Sequence, residues 1–508
     1  MDAHLAVPGD FLPLLEVFAS RMTRPTFATL KSLLAGWFLA PRRTILGTVR
    51  ASGTDRHHAA FHRLSATARW SVDQVGLALF DLVTSFDLVT STMLEDGVVY
   101  LVGDDTLLAR RGLKVFGTGM HRDPVLSSKS HVTAWWGHVW GVLGMVIESK
   151  HVPGRHFVLP ALARLFLNTK AAKSWNRTYR KKTDLRPEML QRLDGHTATS
   201  DLWKDRTLHF LGDSSYTAPA VLVRMSVGVE VTGRIVADAR THRPAPERQP
   251  GTNGRPRVRD GRLPTPRQML QKADLPACAL AVYSKASYRR RIARVQGRFY
   301  KVPSRDVLVI AAEHLTGGRE TEVLFYTTAV QQPSRRCGSI PHCLDVLRRY
   351  SWRWPVEVTF RDLKQQLGIE QPQNRVTAAA DRTAPTGMLL YSLVVWRHES
   401  VSDEPAESLR SWPGKRGASF ADMLASLRLQ ILRESGPEGF ATPSRQPAVA
   451  KVIDRLQRLI ALAALTAKVE LRRRARSGLA GLNGDRRDFG DGTEVLPGRS
   501  DRRAMEAA

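Results

Sequence analysis

The sequence predicts an α/β protein with a mixed-sheet core, a β-rich insertion within that core, and helical regions at both ends. Three observations lead there. Apolar residues recur at helical spacing near both ends of the chain. The middle carries short runs of β-branched and aromatic residues, two of which end in acids. Between residues 226 and 344, further strand-like runs surround a loop rich in Pro, Gly and Arg.

The 508 residues suffice for several domains and a large core. The 43% hydrophobic content excludes a disordered basic tail. Lys and Arg number 76 against 48 Asp and Glu, a net charge of +28 that points to a polyanion, most simply nucleic acid. Cys278, Cys337 and Cys343 form no CxxC pair, so neither a disulfide framework nor a zinc site is expected, and a reducing cytoplasm fits. The start lacks the features of a signal peptide, and no apolar run approaches the ~18 residues of a membrane span. A cytoplasmic, nucleoid-associated protein with no membrane partner is expected.

The elements follow in chain order. Stretches 11–18, 27–38 and 75–83 have helical apolar spacing, and Arg42, Arg43, Arg50, Arg56, Arg63 and Arg69 lie between them. Residues 1–95 are therefore expected as a helical, DNA-binding region, with His57, His58 and His62 solvated or facing phosphate rather than a metal. Residues 98–106 read as a strand ending in Asp104, Asp105 and Thr106. A Gly-rich loop over 114–122 and two strands, 131–136 and 138–147, would give the sheet an antiparallel start. A helix over 186–193 follows the basic run 170–182. The strand 208–213 repeats the apolar-then-acid pattern with Asp213, a residue that also suits a helix cap; a helix over 217–225 comes next. These elements place the first part of the core at 96–225.

Strands at 229–237, 293–302, 306–312 and 321–327, with the basic loop 243–264, define the insertion over 226–344. That loop suits a phosphate backbone. Residues 345–400 complete the core and include an apolar helix at 384–396 that would cover the sheet. A linker at 400–415 leads to the C-terminal region, 401–508, with a helical tail over 418–474. The tail ends in ArgArgArgAlaArg (472–476) and a terminus expected to be disordered.

Tyr350, Arg353, Glu357 and Lys364 stand at gaps of two, three and six residues, and GlnGlnLeuGly (365–368) follows. On one helix these four would project within roughly 60° of each other. Pro355 fits best in a first helical turn, so the helix is expected to start near Trp354, with Glu357 and Lys364 on one face. Asp105, Asp213 and Glu357 then supply two strand-end acids and one helical acid. Three carboxylates so placed suit two divalent ions, Mg²⁺ or Mn²⁺, in phosphoryl transfer.

The Y-x2-R-x3-E-x6-K pattern with its upstream acids resembles the Y-R-E-K signature of bacterial insertion-sequence transposases with an Asp-Asp-Glu (DDE) site. The resemblance covers roughly 96–400. It implies a ribonuclease-H-like core interrupted by a β-rich insertion. It also implies Asp105, Asp213 and Glu357 as a metal-binding triad, with Tyr350, Arg353 and Lys364 on phosphates at the element end. The family's first Asp precedes a Thr, which selects Asp105, with Asp104 as the alternative. The implied activity is metal-dependent cleavage of double-stranded DNA at element ends and strand transfer into target DNA by a synaptic homodimer. The competing readings are a transposase-derived DNA-binding protein without catalysis, a non-transposing ribonuclease-H-like nuclease, and a basic structural protein that binds without metal.

Overall fold

The structure, a computed structural model, describes residues 6–85, 97–123, 126–128, 130–248, 253–255, 257–272, 274–282, 286–314, 322–330, 338–400, 415–435 and 453–460. Residues 401–414 of the expected linker, the 472–476 basic run and Cys337 lie outside them.

The centre of the molecule is a mixed sheet. Its first strands are β1 (Val98–Ala109), β2 (Gly119–Arg122), β3 (Ala134–Glu148), β4 (His156–Phe166), β5 (Thr207–Gly212) and β6 (Val229–Arg234). The order β4-β3-β1-β5-β6 combines antiparallel β4, β3 and β1 with parallel β1, β5 and β6; β2 pairs with the start of β3. The sheet continues beyond β6 through β12 (Glu322–Thr327), β11 (Val302–His314), β10 (Ala286–Phe299), β7 (Thr241–Pro244) and β8 (Arg259–Arg262), while β9 (Ala277–Val282) pairs with β10. This is the expected fold class, a mixed α/β fold with helices at both ends, consistent with a ribonuclease-H-like core.

Three local expectations need correction. Residues 131–136 and 138–147 do not form two strands, because β3 runs through Gly137. A Cβ at Gly137 would lie 2.2 Å from the Leu108 carbonyl oxygen, so this glycine permits close strand approach instead of making a turn. The sequence reading missed β4, where Pro160 breaks the strand pattern. The fold accommodates it on the sheet's margin, at a register shift beside Gly144. Finally, β1 does not stop at its acids. It outlasts parallel β5, whose last residue, Gly212, pairs with Gly103, so Asp104 and Asp105 sit inside a strand.

The N-terminal helices are α1 (Leu12–Glu16), α2 (Arg24–Leu39), α3 (Ile45–Ser52), α4 (His58–Ala66) and α5 (Val72–Ser85). After the sheet begins come α6 (Thr169–Ser174), α7 (Lys182–Thr197), α8 (Pro219–Leu222), α9 (Pro266–Leu270), α10 (Ile340–Tyr350), α11 (Pro355–Gln365), α12 (Thr377–Ser400) and α13 (Phe420–Ser435). The helix expected over 217–225 is thus only a single turn. Pro355 does open α11, as its missing N–H favours.

One continuous apolar cluster runs from Val7 to Ile431 and contains residues of the N-terminal helices, the sheet, α11, α12 and α13. A smaller one, including Ile310, Phe325, Cys343 and Leu347, lies where α10 packs against the β-rich segment. No helix among the described residues is long and apolar enough to cross a membrane.

The end of β1 is tied to the segment that follows α11. Buried Arg110 donates to the carbonyls of Ile369 (2.9 Å) and Pro372 (3.3 Å) and to Nδ1 of His138 (3.1 Å). The other nitrogen of His138, 2.7 Å from the Phe116 carbonyl, must then carry the proton. Burial, reinforced by the Arg110 charge, pushes His138 down to about 3. Burial also pushes His398 down to about 3, with His151 nearby. Both imidazoles are neutral in the fold yet protonate near 6.5 when the chain unfolds. Their contribution is therefore complete above about 6.5 and is lost as pH falls toward 3. The urea unfolding midpoint is expected to drop steadily from pH 7 to pH 4.5; a level midpoint across that window would refute this.

Candidate active site

Two paired glycines set the geometry. Gly103 and Gly212 face each other in parallel register, and each directly precedes an acid. Neither has room for a side chain: a Cβ on Gly103 would meet the rings of Phe210 and Tyr216 at 2.9 Å, and one on Gly212 would meet Thr217 at 2.7 Å. The acids that follow, Asp104 and Asp213, thus leave neighbouring strands side by side.

Successive strand residues point to opposite faces. Asp104 faces α11 and the turn before it. Its Oδ2 accepts from Arg353 Nη1 at 2.7 Å, while Arg353 Nη2 lies 3.6 Å from Glu357 Oε1. A single guanidinium therefore bridges a strand carboxylate and a helix carboxylate. Burial raises the pKa of Asp104; Arg353 opposes that shift, and the charges of Asp213 and Asp105 add to it. Burial also raises Glu357, with Asp104 adding and Arg353 opposing. Burial alone would lower Arg353, but Asp104, Tyr350, Asp213 and Glu357 outweigh it and raise its pKa. Asp104, Asp213 and Glu357 form one electrostatic unit around Arg353.

Asp213 also caps its own turn. Its Oδ1 accepts from the Ser215 amide (3.0 Å), the Ser215 hydroxyl (2.8 Å) and the Tyr216 amide (2.9 Å). Capping and a place beside the other acids coexist in this one side chain.

Asp105 lies on the opposite face, against α7. Its Oδ2 accepts from Lys182 (2.7 Å) and Arg186 (3.0 Å), and its Oδ1 accepts from the Tyr216 hydroxyl (2.5 Å). Burial raises its pKa, but Arg186 and Lys182 outweigh burial and leave it lowered. Arg186 also donates to the Ser215 carbonyl and stacks 4.0 Å over the Tyr216 ring, so this cluster supports the turn that carries Asp213. The expectation that selects Asp105 therefore meets the reverse arrangement. Strand alternation turns Asp105 away from Glu357 and puts Asp104 beside it. Sequence reasoning missed Lys182, Arg186 and Tyr216, although the i, i+4 spacing of the two cations on a helix was a usable signal.

Of the other motif residues, Tyr350 is half-buried against Phe325, with ring centroids 4.4 Å apart. Its hydroxyl is buried near Arg353, Arg234 and Asp213; burial raises its pKa, and no well-aligned hydrogen bond satisfies it. Lys364 lies in the last turn of α11. Arg234, absent from the sequence-based set, opens onto a cavity of about 1050 Å³ that begins at Ser214 and includes Arg259, Arg262, Tyr300 and Lys301. Arg259 lies 3.6 Å over the half-exposed Tyr300 ring. Part of the basic 243–264 loop is thus the wall of a cationic cleft next to Asp213.

Among the described residues, no three His, Cys, Asp or Glu side chains are grouped tightly enough to ligate an ion directly. The donor set nevertheless suits one. The carboxylates of Asp104 and Glu357 offer hard oxygens on either side of the Arg353 guanidinium, the donor chemistry a divalent cation prefers.

A protein family described as DDE superfamily endonuclease matches residues 17–297, more than half of the chain, including Asp104, Asp105 and Asp213 and ending before Glu357. No curated protein matches the sequence.

Proposed function

Because the chain belongs to the DDE superfamily endonucleases, which implies a DNA substrate, we propose that it is the transposase of a bacterial insertion sequence. In this reading it cleaves strands at the element ends and transfers them into target DNA. The observation that carries the proposal is that Arg353 joins Asp104 to Glu357, with Asp213 following the strand residue that pairs with Gly103. Endonucleases of this superfamily generally use divalent metal ions. Asp104, Asp213 and Glu357 would hold two Mg²⁺, or Mn²⁺ in their place, and such ions supply Lewis acidity to phosphodiester displacement.

The chain's own residues would do the rest. Arg353, released from Asp104 and Glu357, would grip a phosphate in bidentate fashion, and Lys364 would add a point charge. The Tyr350 hydroxyl, buried beside Arg353, would donate to a phosphate oxygen. Lys182, Arg186 and Tyr216 would keep Asp105 occupied and hold the Asp213 turn still. The cationic cleft of the 226–344 segment would track the DNA backbone, with the helices of 1–95 reading the element ends. Residues 345–400 would complete the catalytic core, and a homodimer would synapse two ends.

The test is to incubate the full-length protein with DNA fragments carrying the flanks of its own gene, with Mg²⁺ or with EDTA. Mg²⁺-dependent nicks at the element boundary are expected, followed by joining to a target plasmid. Nicking without joining would reduce the activity to that of a non-transposing nuclease. Tight binding with no cut in either condition would replace the proposal with a DNA-binding protein that lacks catalysis.

A further inference from the structure

Apolar side chains gather on the outside of the ribbon formed by β2 and the start of β3. Leu113, Met120, Leu126, Val132 and Trp135 are between 41% and 81% exposed. Met120 pairs with Trp136, and His121 with Trp135, across the ribbon. The Trp136 indole donates to the carbonyl of Gly112, next to Leu113, at 3.4 Å. The Leu126 carbonyl accepts from the hydroxyl of Thr133, next to Val132, at 3.4 Å. Successive strand residues alternate, so Met120 and Trp135 stand on opposite faces and the ribbon is apolar on both. Single exposed apolar residues are ordinary, but a concentrated set marks an interaction site.

The surrounding charge identifies the partner. Residues 111–136 carry four Lys and Arg against one acid, Asp123, whose Oδ1 accepts from the Leu126 amide at 3.1 Å. The neighbouring segment, residues 167–183, carries six Lys and Arg and no acid. Asn168 holds it to the ribbon by donating from Nδ2 to the Met120 carbonyl at 3.0 Å, and the Trp175 ring lies 5.2 Å from that of Phe116. Lys170, Lys173 and Lys181 are exposed. A second copy of the chain would set like charges against each other across this surface. Duplex DNA suits both of its components, with phosphates for the cations and base steps for the apolar side chains.

The ribbon is also within reach of DNA held at the acids. Trp136, opposite Met120, and Val142, opposite Asp104, are six residues apart on one face of β3. At about 3.3 Å per residue that is roughly 20 Å, less than the ~34 Å of one turn of B-DNA.

We propose that the β2–β3 ribbon is a wedge that enters a groove of the bound duplex, where its apolar side chains unstack base steps while the cations of 167–183 hold the backbone. This rests on the reading of DNA as the substrate and adds to it a surface that deforms the DNA. It assigns no part of the cleavage chemistry to the ribbon.

The experiment binds the full-length protein, in EDTA, to duplexes carrying the flanks of its own gene. Unstacked thymines are located by permanganate oxidation, and Kd is measured over a series of salt concentrations. The wild type is expected to make a few thymines hyper-reactive. Met120→Ser combined with Trp135→Ser should abolish that reactivity and weaken binding about tenfold, with the salt dependence unchanged. Leu126→Ser combined with Val132→Ser, at the exposed end of the ribbon, repeats the test if the first pair fails to fold. Lys170→Gln combined with Lys173→Gln should keep the reactive thymines and lower the slope of log Kd against log salt by about 2. Binding without reactive thymines, or reactivity retained in both serine pairs, would overturn the wedge and leave the DNA reading standing. Serine pairs that break a wild-type dimer on sedimentation while thymine reactivity persists would assign the ribbon to a second copy of the chain and overturn it too. No binding of DNA by the wild type would overturn both readings.

Discussion

Glu357→Gln is expected to reduce metal-dependent DNA cleavage by on the order of 10³-fold, the equivalent of several kcal/mol of charge stabilisation at the reacting phosphate. DNA affinity without metal should hardly change. Glu357 is partly exposed at the start of α11, and its closest charged partner, Arg353, keeps its stronger contact with Asp104. The amide preserves the shape of the side chain, so folding should survive. Single-turnover cleavage with Mg²⁺, set beside a binding isotherm in EDTA, separates the two effects. A variant that still cuts within tenfold of the wild type would remove Glu357 from the proposed ion-binding set.

The second large effect distinguishes two adjacent acids. Asp104→Asn should behave like Glu357→Gln, with cleavage lost, Mn²⁺ binding weakened and the fold intact. Asp105→Asn should act through stability instead. Arg186, whose side chain is 9% exposed, and Lys182 would lose their shared carboxylate, and breaking a buried pair of this kind costs roughly 3–5 kcal/mol, less here because Lys182 is partly solvated. Its Mn²⁺ affinity, read by electron paramagnetic resonance on the folded fraction, should remain near that of the wild type. The opposite pattern, with Asp105→Asn stable but unable to bind Mn²⁺, would return Asp105 to the ion-binding set.

This pair also shows how far sequence carries. The spacing around Glu357 pointed to the helix α11, and the apolar-then-acid runs pointed to β1 and β5, because these signals are local. Choosing between Asp104 and Asp105 was not local. Alternation says that they face opposite ways, but which face meets α11 is decided by a helix some 250 residues away in the chain. Strand β4 escaped because Pro160 argues against a strand unless its place at the sheet's margin is already known. Arg43 shows a similar limit: the sequence groups it with the basic stretch of an expected DNA-binding region, yet it is buried, because composition reports how much charge there is, not which charges the core encloses.

The apolar cluster shared by the first helices and the sheet limits how this protein can be taken apart. The Trp37 indole donates to the Leu367 carbonyl at 3.0 Å, just past the helix that carries Glu357. A shortened chain beginning at residue 96 would strip that bond away and bare the oily underside of α12, leaving a sticky fragment rather than a minimal enzyme. Contacts with DNA are therefore better mapped by altering single surface side chains than by cutting the polypeptide into pieces.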